Sequence, residues 1–249
     1  MAEPILVAEN IGMRFGGFQA LADISIAVAP HAIHALIGPN GAGKTTLFNA
    51  LTGVRRPQAG RVIFNGQDIT RAPAHQRVGA GMARSFQVTN VYPALTVAEN
   101  ARLAVQARRK SEGWVFWRTP VRRDIADEVA FLLDRVGIGA RADTRAGDLS
   151  HGAQRSLEIG MALAGRPKLI CLDEPLAGMG IDDVHRTKEL IVTLRDDMAV
   201  LLVEHNMNVV LSISDRVTVM AQGSKIAEGA PDAIRNDPAV RTAYLGSAA

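Results

Sequence analysis

Apolar positions along this chain fall into two patterns. Ala32-Ile33-His34-Ala35-Leu36-Ile37, Lys168-Leu169-Ile170-Cys171-Leu172 and Val200-Leu201-Leu202-Val203 are near-continuous runs of strand length, as expected of strands buried on both faces. Ile24-Ser25-Ile26-Ala27-Val28 alternates with period two and predicts a half-buried strand. Ile5-Leu6-Val7-Ala8 and Gly60–Phe64 add strand material, with a turn at Phe15-Gly16-Gly17 and a hairpin signal at Asn65-Gly66. Helical spacing follows in Thr45–Leu51, in Asp124–Val136 up to Gly137, and near Asp182–Arg195 and Asn206–Ser212. A helix opening at Thr96 carries Glu99 three residues on, a capping box. The end reads as a hairpin over Arg216–Ala221 and Lys225–Glu228, then two short helices.

Strands alternating with helices predict an α/β protein with a largely parallel sheet. A β-rich layer flanks it, and a helical subdomain is inserted from about 96 to 164. The expected division is one domain over 1–249, with its β-rich and nucleotide core at about 1–95 and 165–249.

Composition narrows little. The chain has 249 residues, 47% hydrophobic and 21% charged, with net charge +3, which suits a globular domain and does not point to nucleic acid. Its single cysteine, Cys171, sits in an apolar run and reads as a small buried hydrophobe, compatible with a reducing compartment. No run approaches the ~18 apolar residues of a membrane span, and no secretory signal is seen at the start. The expectation is a soluble chain that relies on others for any membrane part. Arg108–Arg118 is basic and carries Trp114, Phe116 and Trp117. Base stacking is one reading; a surface loop packing on the helical subdomain or a partner is the other, and no wider basic face supports the first.

Candidate chemistry centres on Gly38-Pro39-Asn40-Gly41-Ala42-Gly43-Lys44-Thr45, which fits G-x-x-x-x-G-K-[ST] between a strand and a helix. Glycines let backbone N–H groups turn inward on an anion, and the helix N-terminus adds positive potential. Lys44 would reach the β- and γ-phosphates and the Thr45 hydroxyl would sit on Mg²⁺. The strand Leu169–Leu172 ends in Asp173-Glu174. At a sheet's carboxyl edge these acids can hold Mg²⁺ and polarise a water, or merely cap the turn at Pro175. His205 ends the next strand and is unremarkable in isolation. Ser150-His151-Gly152 opens a helix, a second anion site; a second site for the same triphosphate makes sense if two chains sandwich it.

With these residues the chain resembles the ATP-binding-cassette (ABC) transporter ATPases, over nearly its whole length. Gly38–Thr45, with Thr46 beside it, is similar to Walker A; Asp173 and Glu174 to Walker B and the catalytic glutamate; His205 to the switch histidine; Ser150 and Gly152 to the signature; Gln87 to the Q-loop glutamine that ligates Mg²⁺; Phe15 to the aromatic that stacks on adenine. The resemblance implies the ABC ATPase fold: a phosphate-loop NTPase core with an antiparallel β subdomain and an inserted helical one. It implies ATP and Mg²⁺ as ligands, hydrolysis coupled to transport, and catalytic roles for Lys44, Glu174 and His205. It also implies a second ATPase chain, membrane permease subunits, indirectly a periplasmic substrate-binding protein, and a cytoplasmic location at the inner face of the membrane. His151 and Ala153 depart from the usual signature, and Ala177-Gly178-Met179-Gly180 lacks the usual Asp. These departures, with Val203–Met207, Ala243-Tyr244-Leu245-Gly246 and the Trp-containing insertion, resemble the ATPases of branched-chain amino-acid importers. Relatives of that branch serve urea, amides and lipopolysaccharide export. Soluble ABC ATPases acting on nucleic acid carry two cassettes or a coiled coil, and this chain shows one loop and no sustained heptads. A phosphate-loop kinase would leave Ser150–Gly152 unexplained.

Overall fold

The structure, a computed structural model, describes residues 3–85, 91–108 and 123–245. Gln87, the aromatics at 114–117 and Gly246 therefore lie outside the described residues.

The chain divides into two compact units. The first comprises residues up to Arg84, Lys168–Glu174 and Ile191 onward. It opens with β1 (Leu6–Phe15) and β2 (Phe18–Val28), joined by the expected turn at Gly16-Gly17. β1 runs well past Ala8 because its second half is bulged and half-exposed, so polar Glu9 and Asn10 do not end it. Asn10, at φ 53°, donates its N–H to Ser25 Oγ at 2.9 Å. After β3 (Ile33–Ile37) comes α1 (Lys44–Leu51), then β4 (Ala59–Phe64), β5 (Gln67–Asp68), α2 (Ala74–Gly79) and β6 (Met82–Arg84). Asn65 and Gly66 both have positive φ, as a tight β4–β5 hairpin demands.

The second unit is helical, with α3 (Val97–Arg108), α4 (Arg123–Arg135), α5 (His151–Leu163) and the greater part of α6 (Ile181–Leu194). The Thr96 box forms as expected: Thr96 N–H donates to Glu99 Oε2 at 2.8 Å, and Glu99 N–H to Thr96 Oγ1 at 3.1 Å. Val97, Ala101, Val105, Leu132, Leu133 and Leu157 fill its core. Within the first unit again lie β7 (Leu169–Asp173), β8 (Ala199–Val203), α7 (Met207–Ile213), β9 (Arg216–Ala221), β10 (Ser224–Gly229), α8 (Pro231–Asn236) and α9 (Pro238–Leu245).

Two sheets share the first unit. One is antiparallel, in the order β2-β1-β4-β5. The other runs β10-β9-β3-β8-β7-β6, parallel except for the β9–β10 hairpin. A single core joins them: Leu6, Ile11 and Ile24 from the first sheet, Leu47 and Phe48 from α1, Cys171 and Leu201 from the second. Burial pushes the Cys171 thiol up to about 12, so it packs as a hydrophobe, as its surroundings predict. β6 is a strand that hydrophobic periodicity misses. Three residues carry no period, and only pairing with Leu169–Cys171 of β7 defines it. No helix among the described residues is long and apolar enough to cross a membrane.

His34 is the polar exception in the fully buried β3. Its Nε2 lies 2.8 Å from Thr218 Oγ1 of β9. Burial lowers its pKa to about 4, only partly opposed by Glu228 and the Ala27 backbone, while Arg216 and Lys225 lower it further. The folded protein therefore holds His34 neutral, whereas the unfolded chain protonates near pH 6.5. Stability is complete above that pH and declines as pH falls toward 4. Urea unfolding should show a His34 contribution of about 2 kcal/mol lost between pH 7 and pH 5. His34→Gln should be correspondingly less sensitive over the same interval, and equal sensitivity in both proteins would refute the assignment.

Candidate active site

The parallel sheet gathers the candidate residues along one edge. β3, β8 and β7 are adjacent, and their carboxyl ends lead into Gly38–Thr45, Glu204-His205 and Asp173-Glu174 respectively. Ligands of open α/β sheets bind outside such ends.

The loop is held from several sides. Ala42 N–H donates to Pro39 O at 3.2 Å, and Gly223 N–H, from the β9–β10 turn, donates to Ala42 O at 3.0 Å. Gly43 takes φ 98° at the start of α1, where a side chain would come 2.8 Å from Ala20 O. A side chain at Gly38 would collide with the main-chain oxygen of Met220. Burial pushes the Tyr244 hydroxyl up to about 12, against a hydrogen bond with the Gly38 backbone. The carboxyl-terminal hairpin and α9 thus back the loop.

Lys44 is only 7% exposed. Its Nζ donates to Gly38 O at 2.6 Å and Pro39 O at 3.1 Å. Burial lowers its pKa, while the charges of Glu174 and Asp173 work to raise it. All three residues therefore share one field. Thr45 is exposed and Thr46 half-buried, so the Thr45 hydroxyl is open at the helix start. Asp173 is buried at the end of β7. Glu174 follows at φ 45°, its N–H donating to Val203 O at 2.9 Å. A non-glycine residue in this region costs on the order of 1–3 kcal/mol and persists where its surroundings over-determine it. Here the β8 carbonyl fixes the backbone and leaves the carboxylate half-exposed. The exposed Thr45 hydroxyl and the Asp173 carboxylate are hard oxygen donors beside the loop, a set that fits Mg²⁺ held jointly with phosphate oxygens.

His205 caps β8 with an exposed ring, its Nδ1 3.7 Å from the buried Glu204 carboxylate. Phe15 ends β1, 41% exposed, with the Arg55 guanidinium 5.1 Å from its ring centroid. One ring face thus already has a cationic neighbour.

In the helical unit Ser150 is the N-cap of α5, its Oγ accepting from Ala153 N–H at 3.3 Å. A side chain at Gly152 would overlap the Asp183 carboxylate, a neighbour that sequence spacing could not reveal. Gln154 donates to Ala146 O at 3.1 Å and Leu149 O at 3.3 Å. Displaced one place from its usual position, it ties the helix start to the preceding turn. Met179 Sδ lies 3.5 Å from Thr187 Oγ1, and Ile181 is almost fully exposed.

Loop, strand-end acids and sheet order define a phosphate-loop nucleotide-binding protein. Residues 21–177 match the ABC transporter family, and 224–249 match the branched-chain amino acid ATP-binding cassette transporter family. The chain is 38% identical, over the full length of both proteins, to the high-affinity branched-chain amino acid transport ATP-binding protein LivG of Escherichia coli (strain K12). It is equally similar to BraF of Pseudomonas aeruginosa, again over both full lengths. It is 36% identical to the lipopolysaccharide export ATP-binding protein LptB of Haemophilus influenzae, over 97% of each. Among solved structures, the ADP conformation of an ATP-binding cassette of an ABC transporter superposes with TM-score 0.86 at 32% identity, covering 98% of this chain and 100% of that one. A nucleotide-free cassette superposes with TM-score 0.84 at 33% identity, covering 97% and 98%. This chain is a member of the ABC transporter ATP-binding family, with the fold its motifs imply.

Gly38→Ala and Gly41→Ala separate the two demands on the loop. Gly41, at φ 78°, has open space around it, so its alanine variant should cost only about 1–2 kcal/mol of backbone strain. Gly38→Ala must also displace Met220 O and should weaken ATP binding much further, by about 100-fold. Nucleotide titration with parallel urea unfolding checks the ranking, and equal losses would contradict it.

Proposed function

We propose that this chain is the ATP-hydrolysing subunit of an importer for branched-chain or other small amino acids, working on separate membrane permeases. The supporting observation is the shared field of Lys44, Asp173 and Glu174 at one sheet edge, beside a loop built to wrap an anion. Full-length similarity to LivG and BraF and the match over 224–249 support the cargo class. LptB, slightly less similar, carries the alternative of lipopolysaccharide export.

In this reading Lys44 leaves its two loop carbonyls for the β- and γ-phosphates. Mg²⁺, when bound through Thr45, Asp173 and Gln87, neutralises phosphate charge. Glu174 accepts a proton from the attacking water, and His205, exposed at the adjacent strand end, hydrogen-bonds the γ-phosphate side. Little covalent chemistry is asked of the protein; positioning and charge stabilisation carry the reaction. Phe15 stacks on adenine. Ser150 and Gly152 of a second ATPase chain close over the triphosphate, so the whole chain acts as one catalytic domain that is complete only as a dimer. The subunit then sits at the cytoplasmic face of the membrane, with a periplasmic binding protein delivering cargo from the other side.

Glu174→Gln should keep ATP binding and lower hydrolysis by about 100-fold or more, with Lys44→Ala as the control that does not bind. Near wild-type turnover by Glu174→Gln would remove the general-base role. Deletion of the chain from its host should abolish uptake of labelled leucine, isoleucine and valine. Unchanged uptake with lipopolysaccharide depleted from the cell surface would favour the export reading.

A further inference from the structure

The far end of the phosphate-loop helix is gripped by two arginines that none of the nucleotide motifs includes. Arg77, on α2, is 1% exposed. Among the described residues it has no carboxylate partner, and its hydrogen bonds there go to main-chain carbonyls. Nη1 reaches Ala50 O at 3.0 Å and Leu51 O at 2.5 Å, Nε reaches Ala72 O at 2.9 Å, and Nη2 reaches Thr70 O at 3.4 Å. Two of these are unpaired carbonyls of the last turn of α1, its negative pole. Gly53 leaves the room: a side chain there would stand 2.6 Å from Arg77 Nε. Arg84, at the end of β6, takes the same helix from another side. Its Nη1 donates to Asn49 Oδ1 at 2.9 Å and Thr52 Oγ1 at 2.7 Å, and its guanidinium lies 4.7 Å from the Phe48 ring centroid. Thr52 in turn donates to Phe48 O at 2.7 Å. The Asp173 charge also acts on Arg84.

A buried charge without an acid partner is costly to keep. Apolar packing would hold α2 against α1 more cheaply, and a surface arginine would leave α1 uncapped. What the guanidinium groups add is direction: planar forks fix the rotation and depth of a helix in a way aliphatic contacts do not. α1 has eight residues and so is about 12 Å long. Lys44 and Thr45 stand at its other end, and a rigid rod transmits a displacement along its length.

We propose that Arg77 and Arg84, carried on one α2–β6 arm, are positioning residues that set the seat of the phosphate-loop helix and thereby the affinity for the ATP triphosphate. The inference rests on the reading of Gly38–Thr45 as the phosphate site.

The test is steady-state ATPase and nucleotide titration on the full chain, with thermal melting alongside. Arg84→Met should raise KM for ATP about tenfold and leave kcat within about twofold, because ground-state seating rather than chemistry is lost. Arg84→Lys keeps the charge without the fork and should restore part of the affinity. Arg77→Lys should shift KM in the same direction as Arg84→Met. Lower melting temperatures with KM unchanged would reduce both residues to structural props and overturn the proposal. Should Arg84→Met fail to fold, Arg84→Lys decides alone: a KM raised about threefold supports the grip, and an unchanged KM refutes it. Lys44→Ala keeps the two failures apart. Wild-type ATP binding by that variant would defeat the phosphate-site reading itself, whereas its loss beside unaffected arginine variants would defeat only the arm.

Discussion

A buried ammonium group must be satisfied before any nucleotide arrives. Lys44 meets this demand within its own loop, on the carbonyls of Gly38 and Pro39. The same bonds tie the two ends of the loop together across its anion-facing turn. In the proposed reading triphosphate binding exchanges two neutral acceptors for charged ones; burial lowers the lysine pKa, and the charges of Glu174 and Asp173 oppose that lowering. The rest of the first unit can be seen as serving that arrangement. β3 delivers the loop, β7 and β8 deliver the acids and His205, and α1 carries the lysine on its first turn.

Positions around the site are held from behind more than from within. Met220 and Gly223 back the loop. The β8 carbonyl of Val203 fixes the left-handed turn at Glu174, and the α2–β6 arm holds the far end of α1. In the helical unit the same economy recurs. Ser150 caps its own helix, and Gln154 pins the preceding turn instead of reaching outward.

Much of this was legible from the residues. Gly38–Thr45 could be read because a phosphate loop is local, with every determinant within eight residues of chain between a strand and a helix. The Thr96 capping box and the Asn65-Gly66 turn were legible for the same reason. Asp173 and Glu174 became meaningful only beside the loop, since an acidic strand end is common. Arg77 was illegible: a lone arginine in a polar stretch looks solvent-exposed, and its burial depends on carbonyls of Ala50 and Leu51 that a different helix presents. β6 is too short to have a period. Thr218, which meets His34, lies on β9, far along the chain. The second half of β1 was missed because bulges relax the alternation that identifies a strand.

The order of strands in the parallel sheet has a consequence for how the chain is made. β3 is flanked by β8 and β9, and the loop that follows it leans on Met220 and Gly223. Synthesis proceeds at about 5–20 residues per second, so the ribosome completes β3 and its loop on the order of ten seconds or more before the strands that cover them exist. Through that interval β3, a strand buried along its whole length in the finished fold, has two open edges. The nucleotide site therefore cannot mature as its own residues emerge; it is finished by strands much further along the chain, β8 (Ala199–Val203) and β9 (Arg216–Ala221). A nascent chain stalled or cleaved before β9 would hold an intact loop motif with no backing, a species for chaperones and proteases rather than for ATP.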